Sequence, residues 1–173
     1  AQSWRSHYEQ KYQYSLRLFL LLNFVSALLS LVSPLFTIIS FTLPCFLIVI
    51  CSSVLLLWHW KFSQRKINIS FISLIFGLLW AWHVTLKAMM LGPPHFNYLV
   101  IALLSVLFIG TIAFSSNIIA FTLHSLPTFG ACLILAEGEQ WLRMSYCFIL
   151  PIAGITLQSL IQKRSDVFTQ GLM

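Results

Sequence analysis

Long apolar runs broken by short polar punctuation are the dominant pattern along this chain. Six of them can be marked: Arg17–Val32, Ile38–Trp58, Ile67–Met89, Tyr98–Phe114, Ile118–Ala136 and Trp141–Leu160. A bilayer core takes about 20 apolar residues per helix, with about 17 to 25 tolerated, and each run falls near that length. The runs are continuous, whereas the strands of a membrane β-barrel alternate over about 10 residues. The pattern therefore predicts an all-α polytopic membrane protein. Its six transmembrane helices, joined by short connections, should form a compact antiparallel bundle.

Composition sharpens the class: 59 % of residues are apolar and only 8 % are charged, far from the balance of a soluble domain. Charge then gives a direction. Eight of the 10 Lys and Arg residues fall on one side of the predicted spans: Arg5, Lys11, Arg17, Lys61, Arg65, Lys66, Lys163 and Arg164. Lys87 and Arg143 fall on the other, together with Glu137 and Glu139. By the positive-inside rule both termini are expected in the cytoplasm. The net charge of +6 reads as a topology signal that also favours anionic lipid headgroups, and no nucleic-acid role follows from it.

The expected organisation is an interfacial juxtamembrane segment over 1–15, a membrane domain over 16–161 and a cytoplasmic tail over 162–173. Trp4, Tyr8 and Tyr12 recur at helical spacing among Arg5, His7, Glu9 and Lys11. That suits a short helix lying in the headgroup region, although an aromatic belt with basic flanks accounts for the same residues. No small-residue cleavage site follows the first apolar run, so no cleavable signal peptide is expected. The Lys163-Arg164-Ser165-Asp166 exit suits a last helix that continues as a rod towards a further domain.

Polar residues inside the runs carry most of the functional information. Asn23, Ser26, Ser30 and Ser33 share one face of helix 1, as expected of a helix-packing seam. Pro44, Pro127 and Pro151 are predicted inside helices 2, 5 and 6, where each removes a backbone donor and favours a kink. Cys45, Cys51, Cys132 and Cys147 have no paired spacing and read as small apolar packing residues.

The candidate ligand pocket lies at the outer end of the bundle. Trp80, His83 and Lys87 share a face of helix 3, and Glu139, Arg143, Tyr146 and Cys147 stand at the start of helix 6. Ionisable groups at membrane depth are costly and tend to face an interior or a water-filled cavity. Aromatic walls with a few polar groups suit a small amphiphile. Snorkelling by Lys87 and an exposed Glu139–Arg143 pair are the structural alternatives. No catalytic residues, cofactor or metal site are expected: H-E-x-x-H and G-x-S-x-G motifs are absent. His59 and His124 on different helices give a haem-ligand alternative.

Six short-looped helices, the basic flank Tyr14-Ser15-Leu16-Arg17 and the basic exit Gln162-Lys163-Arg164 resemble bacterial membrane input domains. These are the MASE-type domains of diguanylate cyclases and the six-helix input domain of quorum-sensing histidine kinases of the CqsS kind. The run Leu86-Lys87-Ala88-Met89-Met90-Leu91 is similar to the middle of the latter. The resemblance implies a homodimeric sensor in the bacterial inner membrane. Such a sensor receives a small hydrophobic or membrane-borne signal and passes it through helix 6, hinged at Pro151 and Gly154, to a diguanylate cyclase or histidine kinase domain. No GGDEF signature or phospho-accepting histidine motif stands in this chain. A stand-alone membrane protein (transporter, haem-binding electron carrier or assembly subunit) is the alternative.

Overall fold

A computed structural model describes residues 2–32, 42–62, 67–91, 96–114, 117–136 and 140–172. It is all-helical over these residues. The elements are α1 (Gln2–Val32), α2 (Leu43–Lys61), α3 (Ile69–Leu91), α4 (Phe96–Ala113), α5 (Ile118–Leu135) and α6 (Gln140–Leu172).

The boundaries follow local chemistry. Neither Gly nor Pro occurs between Gln2 and Val32, so nothing separates a headgroup segment from the first apolar run. The segment before Arg17 is continuous with the first apolar run, and α1 is one helix of 31 residues. Pro44 is also corrected. It occupies the first turn of α2, where the missing N–H costs no helical bond, and not the helix interior. Pro127 and Pro151 do lie inside α5 and α6. The Asn117 side chain caps α5 by accepting from the Ala120 N–H at 3.2 Å, and the Asn68 side chain accepts from Phe71 N–H ahead of α3 at 3.3 Å. α6 continues unbroken through Lys163 and Arg164 to Leu172.

Among the described residues four helices are long and apolar enough to cross a membrane: Gln10–Leu31, Leu43–Lys61, Ile69–Met89 and Ile118–Leu135. The apolar portions Leu99–Ala113 of α4 and Phe148–Ile161 of α6 are shorter. Large apolar side chains such as Leu29, Ile50, Leu78, Phe108, Ile134 and Leu157 are exposed around the perimeter. A soluble monomer rarely carries apolar exposure on this scale, and it marks the chain as a membrane protein.

The interior is aromatic. Phe19 of α1 meets Phe76 of α3 edge-on at 5.5 Å, Phe114 at the end of α4 at 4.6 Å, and His124 of α5 edge-on at 5.0 Å. α1 and α2 run antiparallel, shown by the contacts Arg17–His59 and Ala27–Cys45. α4 and α5 are likewise antiparallel, with Cys132 near Leu99 and Phe121 against Gly110. The closest helix pair is α3 with α5. Gly77 makes it possible: a Cβ there would stand 2.5 Å from the His124 carbonyl oxygen and 2.9 Å from that of Leu123. α6 packs on α5 and α4, and Phe129 of α5 stacks on Phe148 of α6 at 4.1 Å with rings nearly parallel.

Candidate functional site

A buried polar cluster joins α1, α2 and α3, and it is built on the predicted face of α3. Positions 80, 83 and 87 follow one another at helical spacing, so their side chains share a stripe. Trp80, His83 and Lys87 are 5 %, 3 % and 4 % exposed.

Trp80 and His83 each find a polar partner outside α3. Trp80 Nε1–H donates to Asn23 Oδ1 at 2.6 Å. Asn23, fully buried, in turn donates through Nδ2 to the Phe19 carbonyl at 2.7 Å, one turn earlier on α1. The Trp80 and His83 rings meet edge to face at 5.7 Å. His83 Nδ1 is hydrogen-bonded to Thr42 Oγ1 at 2.5 Å, with the direction of the proton set by the imidazole tautomer.

Thr42 is the N-cap of α2, yet its hydroxyl makes no capping bond. An N-cap side chain ordinarily serves the N–H groups of the second or third helical residue, and the second here is Pro44, which has none. The hydroxyl is thereby available to His83. Below it, Cys45 donates its thiol to the Ala27 carbonyl at 3.3 Å. Lys87 lies within electrostatic reach of both Cys45 and His83. The result is a cationic and hydrogen-bonding cluster walled by an indole, shielded from the bundle perimeter.

The other predicted pocket residues stand elsewhere. Arg143 and Tyr146 are exposed on α6, which packs on α4 and α5. Glu139 and the side chain of Cys147 lie outside the described residues. Of the expected hinge, Pro151 is half-buried and Gly154 faces open space. The two histidines of the haem alternative are both buried but are not brought to one site. His59 accepts from Arg17 while His124 packs on Phe19, and residues two apart on α1 point about 200° from each other. Among the described residues no three His, Cys, Asp or Glu side chains gather as metal ligands.

Asn23 and Cys45 are members that sequence reasoning read as packing residues, and Thr42 was not singled out within the second apolar run. For Asn23 there was a signal: an amide in the middle of an apolar run needs a partner. Thr42 gave none, because its pairing with His83 spans 41 positions.

The fold and cluster together define a polytopic helical membrane protein with an internal polar site. Comparison with protein-family models, with curated proteins and with solved structures finds no match to this chain.

Proposed function

We propose that this chain is a sensory input module whose six helices all span a bacterial inner membrane, with both termini in the cytoplasm. It acts as a homodimer. A small hydrophobic or membrane-borne signal is received at the Trp80–His83–Lys87 cluster and read out through α6 by a cytoplasmic diguanylate cyclase or histidine kinase domain.

The observation that carries this reading is the burial of an indole, an imidazole and an ammonium on one stripe of α3, tied by hydrogen bonds to α1 and α2. Groups of this kind at membrane depth are expensive to keep and mark functional interiors by default. A route to the readout helix is also at hand. α3 is joined to α5 at backbone contact through Gly77, and α5 is joined to α6 by the Phe129–Phe148 stack. A signal that binds two arrangements of the cluster unequally shifts the α3–α5 pair and with it α6. The continuous helix beyond Ile161 supplies the rod by which such a shift leaves the membrane.

The test is a fusion of α6, in helical register, to a diguanylate cyclase reporter domain. His83→Phe and Trp80→Leu are expected to change reporter output by at least about fivefold at equal membrane abundance, the lower end of ordinary coupling energies. Ile134→Ala, at an exposed perimeter position, is the control and leaves output unchanged. Cluster variants that behave like Ile134→Ala contradict the proposal.

A further inference from the structure

Six residues before Asn23, at the middle of α1 and against the C-terminal end of α2, Arg17 donates through Nε–H to His59 Nδ1 at 3.3 Å. This contact fixes several things. An imidazole nitrogen that accepts from a guanidinium carries a lone pair, so His59 is neutral here and bears its proton on Nε2. His59 is 2 % exposed and sits in the last turn of α2, which makes it a rigid anchor. Arg17 itself is exposed. Its Nε is occupied, and no further hydrogen bond or ion pair is formed by it among the described residues. The Nη fork is thus held in place by a bond to the third nitrogen.

The surroundings are cationic and aromatic. Lys61, two residues beyond His59, is exposed, and its amine lies 5.8 Å from the Phe62 ring centre. Tyr14, one turn before Arg17, is 68 % exposed, and Trp60 beside His59 is 80 % exposed. Tyrosine and tryptophan with polar tips belong at the headgroup level of a bilayer, which places Arg17 and Lys61 at that depth. No Asp or Glu occurs between Glu9 and Glu137, so neither α2 nor the rest of α1 beyond Glu9 carries a carboxylate. Glu9 precedes Arg17 by eight positions, about 12 Å along a helix.

An anchored guanidinium fork with a second cation at the end of α2 calls for an oxyanion that is abundant at the membrane interface. Planar bidentate pairing suits a phosphate better than any other group found there. We propose that Arg17, positioned by His59 and assisted by Lys61, forms a specific site for the phosphodiester of an anionic phospholipid where the middle of α1 meets the C-terminal end of α2. The lipid is anionic because a zwitterionic headgroup would bring its own ammonium against Lys61. This inference rests on the membrane character of the chain and stands apart from its sensory role.

Native mass spectrometry of the full chain, released from detergent with added phosphatidylglycerol or phosphatidylcholine, tests the site. The unaltered protein is expected to retain one phosphatidylglycerol about tenfold more strongly than phosphatidylcholine. Arg17→Lys keeps the charge but loses the anchored fork, and is expected to lower that retention about tenfold. Lys61→Gln lowers it less, and serves if Arg17 variants fail to fold. Lys163→Gln, on α6, leaves it unchanged. Equal retention of the two lipids, or an Arg17→Lys protein that retains phosphatidylglycerol as the parent does, overturns the proposal in favour of diffuse attraction. Competition by millimolar inorganic phosphate overturns it in favour of a soluble ligand.

Discussion

Gly77 of α3 lies against the carbonyl of Leu123 on α5, the carbonyl that Pro127 deprives of its helical donor. In an uninterrupted helix the N–H of residue 127 would bond to the carbonyl of residue 123, and proline has no N–H. A Cβ at position 77 would stand 2.9 Å from that oxygen, so only a glycine lets the two backbones come this close. Membrane helices have no hydrophobic drive towards one another and associate through such close backbone contact. Gly77 and Pro127 therefore act together, and they make α3 and α5 the tightest pair of the bundle.

Gly77→Ala is accordingly expected to destabilise the fold. Its Cβ would meet His124 O at 2.5 Å and Leu123 O at 2.9 Å, and backbone atoms cannot swing aside. Overpacking of this kind costs about 1–3 kcal/mol. Gly154→Ala meets open space and is expected to be neutral or stabilising by about 0.5–1 kcal/mol. Thermal melts of the two variants in one detergent give the comparison, and a Gly77→Ala protein that melts no lower than Gly154→Ala would refute the close-approach account.

Asn23 and Trp80 should be energetically coupled. Trp80→Phe leaves Asn23 Oδ1 without its donor, and Asn23→Leu leaves the indole N–H buried and unpaired. A double-mutant cycle on unfolding is expected to return about 0.6–2 kcal/mol, the range of interhelical hydrogen bonds in membranes. Strict additivity would show that the 2.6 Å contact contributes nothing to stability.

Thr42 separates two roles that a hydroxyl at a helix start can play. Thr42→Val removes the bond to His83 and is expected to cost about 1 kcal/mol, while Thr42→Ser retains most of it. Because the hydroxyl makes no capping bond, amide exchange in the first turn of α2 should be the same in all three proteins. Faster exchange there in Thr42→Val alone would mean that the hydroxyl serves α2 and not His83.

Phe129→Leu is expected to loosen α6 without unfolding the bundle. An aromatic pair is worth about 0.5–1.5 kcal/mol beyond its area, and Phe129–Phe148 is the one ring stack that joins α5 to α6 among the described residues. Amide exchange in α6 should rise while that of α1 to α3 stays fixed. A uniform rise across all helices would point instead to general destabilisation.

Much of this architecture was legible in the sequence because apolar run length reports helix length directly. All six runs became helices, and the stripe Trp80, His83, Lys87 was visible from spacing alone. Partners across helices were not legible. Trp80 finds Asn23 across 57 positions, and only packing decides that α3 presents this stripe to α1 and α2 while α6 lies against α4 and α5. That the helix of the first apolar run extends back to Gln2 was not legible, because aromatic and basic residues mark an interface without interrupting a helix. Pro44 was misplaced by a few residues, enough to move it from a helix interior to a first turn.

The central claim, that the α3 cluster governs α6, is tested most directly by hydrogen exchange of the protein in lipid nanodiscs. Amides of 148–155 and 162–172 are compared between the parent and His83→Phe. The account predicts that exchange in both α6 segments changes by at least about fivefold, together with that of α3 and α5. A change confined to α1, α2 and α3, with α6 identical to the parent, would contradict it.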